Sequence, residues 1–269
     1  MAIDPQARVH PGAVIGDGAT VGPFAEIGPN VVIGDRCEIR TGAIVIGHTT
    51  MGRDNVVHPY AVIGGPPQDL KYDGEPTRVE IGDRNTFREG VTINVGTVGG
   101  GGLTKLGDDN LVMANAHVAH DCIVGSGTIL SNNVMLAGHT VVQDMAILNG
   151  GAAVHHFTTI GRLCYIGGLT PITQDIPPFL IAANQPLRYG GVNVVGLRRR
   201  GFDDDTIEDL RAVFKRMFRT AEPVTEVIAA VRAEGDSIRA EVRELTEFVA
   251  AMERGFHGRS LEATRRRGR

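Results

Sequence analysis

From Leu106 to Ile172 every sixth residue is a bulky aliphatic: Leu106, Val112, Val118, Val124, Leu130, Leu136, Val142, Leu148, Val154, Ile160, Ile166 and Ile172. With 42% of the chain hydrophobic, twelve consecutive hits at one phase arise by chance roughly 3 times in 100,000. A period of six matches neither the 3.6-residue helix nor the two-residue alternation of a strand. It matches a three-sided coil in which each side uses six residues and sends one aliphatic side chain inward. Hexapeptide repeats of this kind point to a parallel β-helix.

The repeat starts near the N-terminus, with Ile3, Val9, Ile15, Val21, Ile27, Ile33, Ile39, Val45, Met51, Val57 and Ile63 in one phase, and Ile81, Phe87 and Ile93 resume it. At eighteen residues per coil this predicts about eight or nine coils. Glycine often follows the inward residue (Gly16, Gly22, Gly28, Gly34, Gly52, Gly64), which predicts tight corners of positive φ there.

Two stretches interrupt the repeat. Gly65 to Arg78 carries three prolines and puts Asp69 and Glu75 where aliphatics belong, so a loop is expected over 65–78. The phase survives it, because Ile63 and Ile81 are eighteen apart. Val95 to Lys105 contains Gly99-Gly100-Gly101-Gly102, and the phase slips by one between Ile93 and Leu106. A flexible loop is expected over 95–105; phosphate cradling there is weakly supported, since no helical pattern follows.

After Ile172 the repeat ends. Residues 173–200, with Pro177-Pro178, Pro186 and Arg198-Arg199-Arg200, read as an irregular exit from the prism. Asp203-Asp204-Asp205 reads as a helix start, followed by Ile207, Leu210, Val213, Phe214, Met217 and Phe218 at helical spacing. A second helix opens at Pro223, and a third is marked by Ile238, Val242, Leu245, Phe248, Val249 and Met252. The aromatic stripe reads as core, and the ArgArgArgGlyArg end as a frayed tail. The expected division is 1–190 β-helix and 191–269 helical domain.

A net charge of −4 gives no general case for nucleic-acid or membrane binding. Cys37, Cys122 and Cys164 are scattered, without zinc or disulfide spacing, which suits a reducing compartment. No signal-peptide pattern and no run of 18 apolar residues is present. The expectation is a soluble cytoplasmic protein without membrane insertion.

The histidines carry the chemistry. His117, His120, His139, His155 and His156 lie inside the long repeat. His120, Gly138 and His156 are eighteen apart, so they stack on successive coils. With coils about 4.8 Å apart, His120 and His156 stand roughly 10 Å apart, a span a substrate can bridge. Histidine titrates near neutrality and suits general base work, and the adjacent Asp121 can orient it. Acyl transfer from a thioester fits this arrangement. A zinc hydrase with three His ligands is the alternative of a different chemistry, though no local spacing fixes such a site. A purely structural β-helix is the third reading, against which the histidine cluster and the ionisable loop speak.

The segments QDLKYDGEPTRVEIGDRN (68–85), GGGLTKLG (100–107), ANAHVAHDC (114–122), LAGH (136–139), AVHHF (153–157), QDIPPF (174–179) and GVNVVGLRRRGF (191–202) resemble the acyl-acyl carrier protein:UDP-N-acetylglucosamine O-acyltransferases, which begin lipid A synthesis. The resemblance implies a left-handed parallel β-helix, an exception to the right-handed crossover rule that periodicity alone does not give. It implies a homotrimer with clefts between prisms. It also implies transfer of an R-3-hydroxyacyl chain from acyl carrier protein to the 3-hydroxyl of UDP-N-acetylglucosamine. No resident cofactor or metal is expected, since phosphopantetheine arrives on the carrier.

By the same resemblance His120 is the general base, Asp121 its partner, and the Gly138 N–H the oxyanion donor. Asp69 and Lys71 hold the sugar nucleotide or pantetheine arm. His117, His139, His155 and His156 lie at the sugar and phosphates. Asn193, Arg199 and Arg200 match the nucleotide and carrier region, and a basic patch there suits an acidic carrier. Gly168 matches a position that limits acyl length, where glycine implies a longer chain. His156 stands where the family has Gln, Asn94 where it has His, Val195 replaces an acidic residue, and Tyr165 a Met. The first three departures leave N-acylation of the 3-amino sugar analogue as the second reading, and Tyr165 bears on the acyl chain length.

Overall fold

The computed structural model describes residues 2–267, with backbone alone for 236 and 264–267. Short strands, mostly of two residues, alternate with turns from Ala2 to Ile172. Among the described residues they form, with two later strands, three sheets of eleven, nine and eight strands. Every third strand pairs in parallel with its predecessor one coil below. Ala2 lies against Thr20, Val14 against Val32, and His117 against Met135, each eighteen residues apart. The three sheets are the walls of a triangular prism.

Its core is the inward column. Ile27, Ile63, Phe87, Val118, Leu136, Leu148 and Ile166 are at most 1% exposed. Each such side chain contributes about 1.5–3 kcal/mol through burial. A second inward position, two residues earlier, takes small or polar side chains: Ala19, Cys37, Ala116, Cys122 and Thr140 are all sealed. Alternation of large and small fills the narrow bore.

The corners correct one expectation. Positive φ falls three residues after the inward aliphatic, not one. Asp121 (φ 59), His139 (φ 62) and Phe157 (φ 60) occupy it, as do Phe24, Arg36 and Tyr60. The glycines directly after the inward residue serve close approach instead. A Cβ on Gly34 would lie 2.5 Å from the Gly52 carbonyl carbon on the next coil. Gly64, with φ 82, is the exception within that set.

Residues 66–77 carry no strand or helix, while the second interruption is shorter than expected, with a 3-10 turn at Val98–Gly100 and a strand resuming at Leu103–Leu106; register explains their different effects on phase. Across the first, Val62 pairs with Thr92, thirty residues on, so twelve have been added, two whole hexapeptides. Across the second, Thr92 pairs with His117, twenty-five on, so seven have been added and the phase slips by one. Coils resume in register after each loop.

The segment after Ile172 is more regular than its sequence suggests. Leu180–Ala183 adds a parallel strand beside Tyr165–Ile166, and Arg188–Val192 turns back antiparallel upon it. The expected division after residue 190 falls inside this last strand. Helix α1 (Val194–Arg199) follows, then α2 (Asp204–Arg219), α3 (Val224–Ala233), α4 (Ala240–Glu253) and α5 (Ser260–Arg267). The Asp203 carboxylate caps α2 by accepting from the Thr206 N–H at 2.6 Å. Phe214 and Met217 are buried among Ile207, Leu210, Val227 and Leu245. Helix α5 carries the chain through Arg267, where a frayed tail was expected; Gly268 and Arg269 lie outside the described residues. Among the described residues no helix is long and apolar enough to cross a membrane.

Candidate active site

His120 stands at a prism corner, and the coil places its neighbours. The His139 N–H donates to the His120 carbonyl at 3.1 Å, and the Phe157 N–H to the Gly138 carbonyl at 3.3 Å. His120, Gly138 and His156 therefore occupy one corner on three successive coils, as their spacing predicts. His120 is 9% exposed. Its Nδ1 lies 2.8 Å from Asp121 Oδ2.

Asp121 is the anchor. Burial opposes its ionisation, but hydrogen bonds from His120 and from the Thr97 side chain and backbone, with the charge of His139, outweigh it and hold the carboxyl below its usual range. An ionised carboxylate only accepts, so His120 Nδ1 carries the proton and Nε2 keeps the lone pair. The Thr97 N–H donates to Asp121 Oδ1 at 2.8 Å and Thr97 Oγ1 to Oδ2 at 2.6 Å. The Asp121 N–H donates to Thr104 Oγ1 at 2.8 Å.

The glycine-rich loop thus cradles a carboxylate of the chain itself. A Cβ on Gly100 would fall 2.1 Å from Asp121 Cγ. Sequence reasoning missed Thr97 and Gly100. The slipped phase marks where the added loop is, without saying that it folds over Asp121.

On the other side of the imidazole lies Gly138. A Cβ there would sit 2.5 Å from His120 Cε1 and 2.7 Å from Nε2. The ring needs a bare backbone. Among the described residues the Gly138 N–H donates no backbone hydrogen bond.

The corner separates two hollows. One, of about 510 Å³, lies on the face of the nine-stranded sheet and is lined by His117, His120, Gly138, His155, His156 and Asn94, over an apolar floor that includes Met135 and Ile172. His117 Nδ1 is 2.7 Å from Thr92 Oγ1 one coil below. Burial, then the charge of His120, hold its pKa below the ordinary imidazole value. His155 Nδ1 donates to the His156 carbonyl at 3.0 Å. The other hollow, of about 690 Å³, brings Asp69 and Lys71 from the first loop together with Asp121, His139 and Val98. His139 stacks on Phe157 with centroids 4.3 Å apart. His120, Asp121 and His139 also offer three ligand atoms within 4.8 Å of one another, a set with the chemistry to hold a metal ion.

The remaining expected residues stand outside both hollows. Gly168 lies exposed at the opposite edge of the nine-stranded face, where Leu169 N–H bonds back to Gly150. Arg199 and Arg200 are exposed at the end of α1. Asn193 caps α1, accepting from the Gly196 N–H at 3.1 Å and donating to the Leu163 carbonyl at 2.9 Å.

Comparison with known proteins follows this geometry closely. Residues 175–257 match the family model described as UDP-N-acetylglucosamine O-acyltransferase, domain 2. Residues 103–138 match the bacterial transferase hexapeptide model of six repeats. Among solved structures, a UDP-N-acetylglucosamine acyltransferase from Bacteroides fragilis is 38% identical, covering 92% of this chain and 96% of its own, with a TM-score of 0.88. The Acinetobacter baumannii counterpart is 37% identical over 92% of this chain and 96% of its own, at 0.88. The Francisella novicida acyltransferase is 34% identical over 92% and 91%, also at 0.88.

Proposed function

Because the chain belongs to the UDP-N-acetylglucosamine acyltransferase family, and is an acyltransferase on a left-handed β-helix, we propose that it transfers an R-3-hydroxyacyl chain from acyl carrier protein to the 3-hydroxyl of UDP-N-acetylglucosamine, the first step of lipid A synthesis. One observation carries the assignment of the chemistry: His120 is held between an ionised Asp121 at 2.8 Å and the bare backbone of Gly138.

In this reading Nε2 takes the proton of the sugar hydroxyl as its oxygen attacks the thioester carbon. Asp121 steadies the imidazolium that forms. The Gly138 N–H stabilises the developing oxyanion. The tetrahedral intermediate collapses, the carbon–sulfur bond breaks, and His120 returns its proton to the departing thiolate. His117, His155 and His156 face the sugar nucleotide across the apolar-floored hollow, while His139, Asp69 and Lys71 approach from the other side of the corner. Two hollows on opposite flanks of one catalytic corner fit a homotrimer in which a neighbouring prism closes the cleft. Arg199 and Arg200 receive the acidic carrier, and Gly168 leaves the far edge of the face open to the acyl tail.

The test is an acyl-transfer assay with 3-hydroxyacyl carriers of several lengths, on UDP-N-acetylglucosamine and its 3-amino analogue. An ester of UDP-N-acetylglucosamine is expected. Amide formation from the amino analogue alone replaces the proposed acceptor, and no product from any pair refutes the reading.

A further inference from the structure

We propose that His120, Asp121 and His139 form a binding site for a zinc-class divalent cation, and that its occupation switches the acyltransferase off. The inhibitory part rests on the reading above; the binding part does not.

The ligand set is two imidazoles and a carboxylate, which suits zinc and its transition-metal neighbours and disfavours magnesium. His120 Nδ1 and Asp121 Oδ2 are 2.8 Å apart, and His139 Nε2 and the same oxygen 3.8 Å. Tetrahedral zinc with bonds of about 2.0–2.1 Å needs ligand atoms about 3.3 Å apart. The first separation must open by about 0.5 Å, the second close by about 0.5 Å, and the two imidazole nitrogens, within 4.8 Å of one another, settle at the same spacing, all by rotation of the rings. The Asp121 side chain stays fixed by the Thr97 N–H on its other oxygen. Access exists: the His139 side chain is 23% exposed, and the hollow beside Asp121 leaves a fourth coordination position for water or a solute.

Occupation explains the switch by proton accounting. In the free site the neutral His120 ring carries its proton on Nδ1 and its lone pair on Nε2. A cation on Nδ1 needs a lone pair at that nitrogen, so the ring takes its other tautomer and its one proton resides on Nε2. No proton is gained or lost by the ring. Nε2 then has no lone pair to accept the proton of the sugar hydroxyl, and Asp121 is engaged by the metal. The same three groups cannot serve metal and base together.

Isothermal titration of the full-length, metal-free chain with Zn²⁺ tests binding, and acyl transfer in the same buffer tests the switch. Wild type is expected to bind one Zn²⁺ per chain at this site, with Mg²⁺ giving no heat. Turnover is expected to fall with occupancy and to return on chelation. His139→Gln and Asp121→Asn should each weaken binding more than about 100-fold, beyond what loss of an outer contact gives. His48→Gln, a change at an exposed histidine, should leave binding as it is. Unaltered Zn²⁺ affinity in both site variants, with circular dichroism showing them folded, overturns the site. Full turnover of zinc-saturated wild type overturns the switch. Zinc binding lost in the variants of a protein with no acyltransferase activity would keep the site and reject only the function proposed above.

Discussion

The sharpest structural demand at the corner is that residue 138 have no side chain. In Gly138→Ala the new Cβ would begin 2.5 Å from His120 Cε1, and ordinary contact begins near 3.4 Å, so ring or backbone must yield about 0.9 Å. A shift of the ring away from the new Cβ works against its 2.8 Å contact from Nδ1 to Asp121. Gly138 is not in the left-handed region, so alanine meets no backbone penalty there. A displacement near 1 Å of the reacting group costs about 10²-fold in rate. We therefore expect kcat to fall about 100-fold, with the melting temperature close to wild type. Gly150→Ala is the matched control: it holds the equivalent corner position one face away, and its Cβ would meet only the Asn132 carbonyl oxygen, at 3.3 Å. Steady-state acyl transfer and thermal unfolding of both variants decide the matter. A Gly138→Ala enzyme within threefold of wild type in kcat would refute the claim that the ring position limits the chemistry.

Three further expectations follow from other contacts. Thr97→Val removes the hydroxyl at 2.6 Å from Asp121 and should lower kcat about 10- to 100-fold, the worth of one hydrogen bond to a charged group, with little effect on the melting temperature. Asp175 is fully buried and receives hydrogen bonds from Thr159 N–H, Ser260 N–H and Ser260 Oγ; burial, only partly offset by these bonds, raises its pKa. The folded state therefore holds that proton more tightly than the unfolded one. Wild-type stability measured against Asp175→Asn by urea unfolding should be greatest below the ordinary carboxyl pKa, and should decline as pH rises through the raised folded value; an opposite slope would contradict the assignment. Gly168→Met should shift the preferred acyl chain to shorter lengths in a panel of carriers, and an unchanged preference would place the limit elsewhere.

The sequence reveals the prism because every coil repeats the same demand, one aliphatic per six residues. Even the two loops are legible from phase, since adding twelve residues preserves it and adding seven shifts it by one. Handedness is not legible, because period and inward residue are the same for either hand. The positions of positive φ are not legible from glycine alone: Asp121, His139 and Phe157 adopt it while Gly34 does not. The alignment of His120, Gly138 and His156 follows directly from eighteen-residue spacing. Thr97 as a clamp on Asp121 does not, because the loop that carries it breaks the repeat and its fold depends on tertiary contact. The cap that Asn193 places on α1 is likewise not legible, because its amide meets Gly196 and Leu163 only in the folded chain. The strand Leu180–Ala183 escapes notice because its coil is two residues short, with Tyr165 paired to Ile181 sixteen on.

The account turns on His120 as the base. Its most direct test is the single-turnover rate of His120→Ala with a 3-hydroxyacyl carrier and UDP-N-acetylglucosamine, beside a circular dichroism spectrum and mass measurement of the same sample. Loss of a positioned base is worth about 10²–10⁴-fold, so the rate should fall by that amount while the β-helix stays intact. A folded His120→Ala protein that turns over within tenfold of wild type would contradict the account.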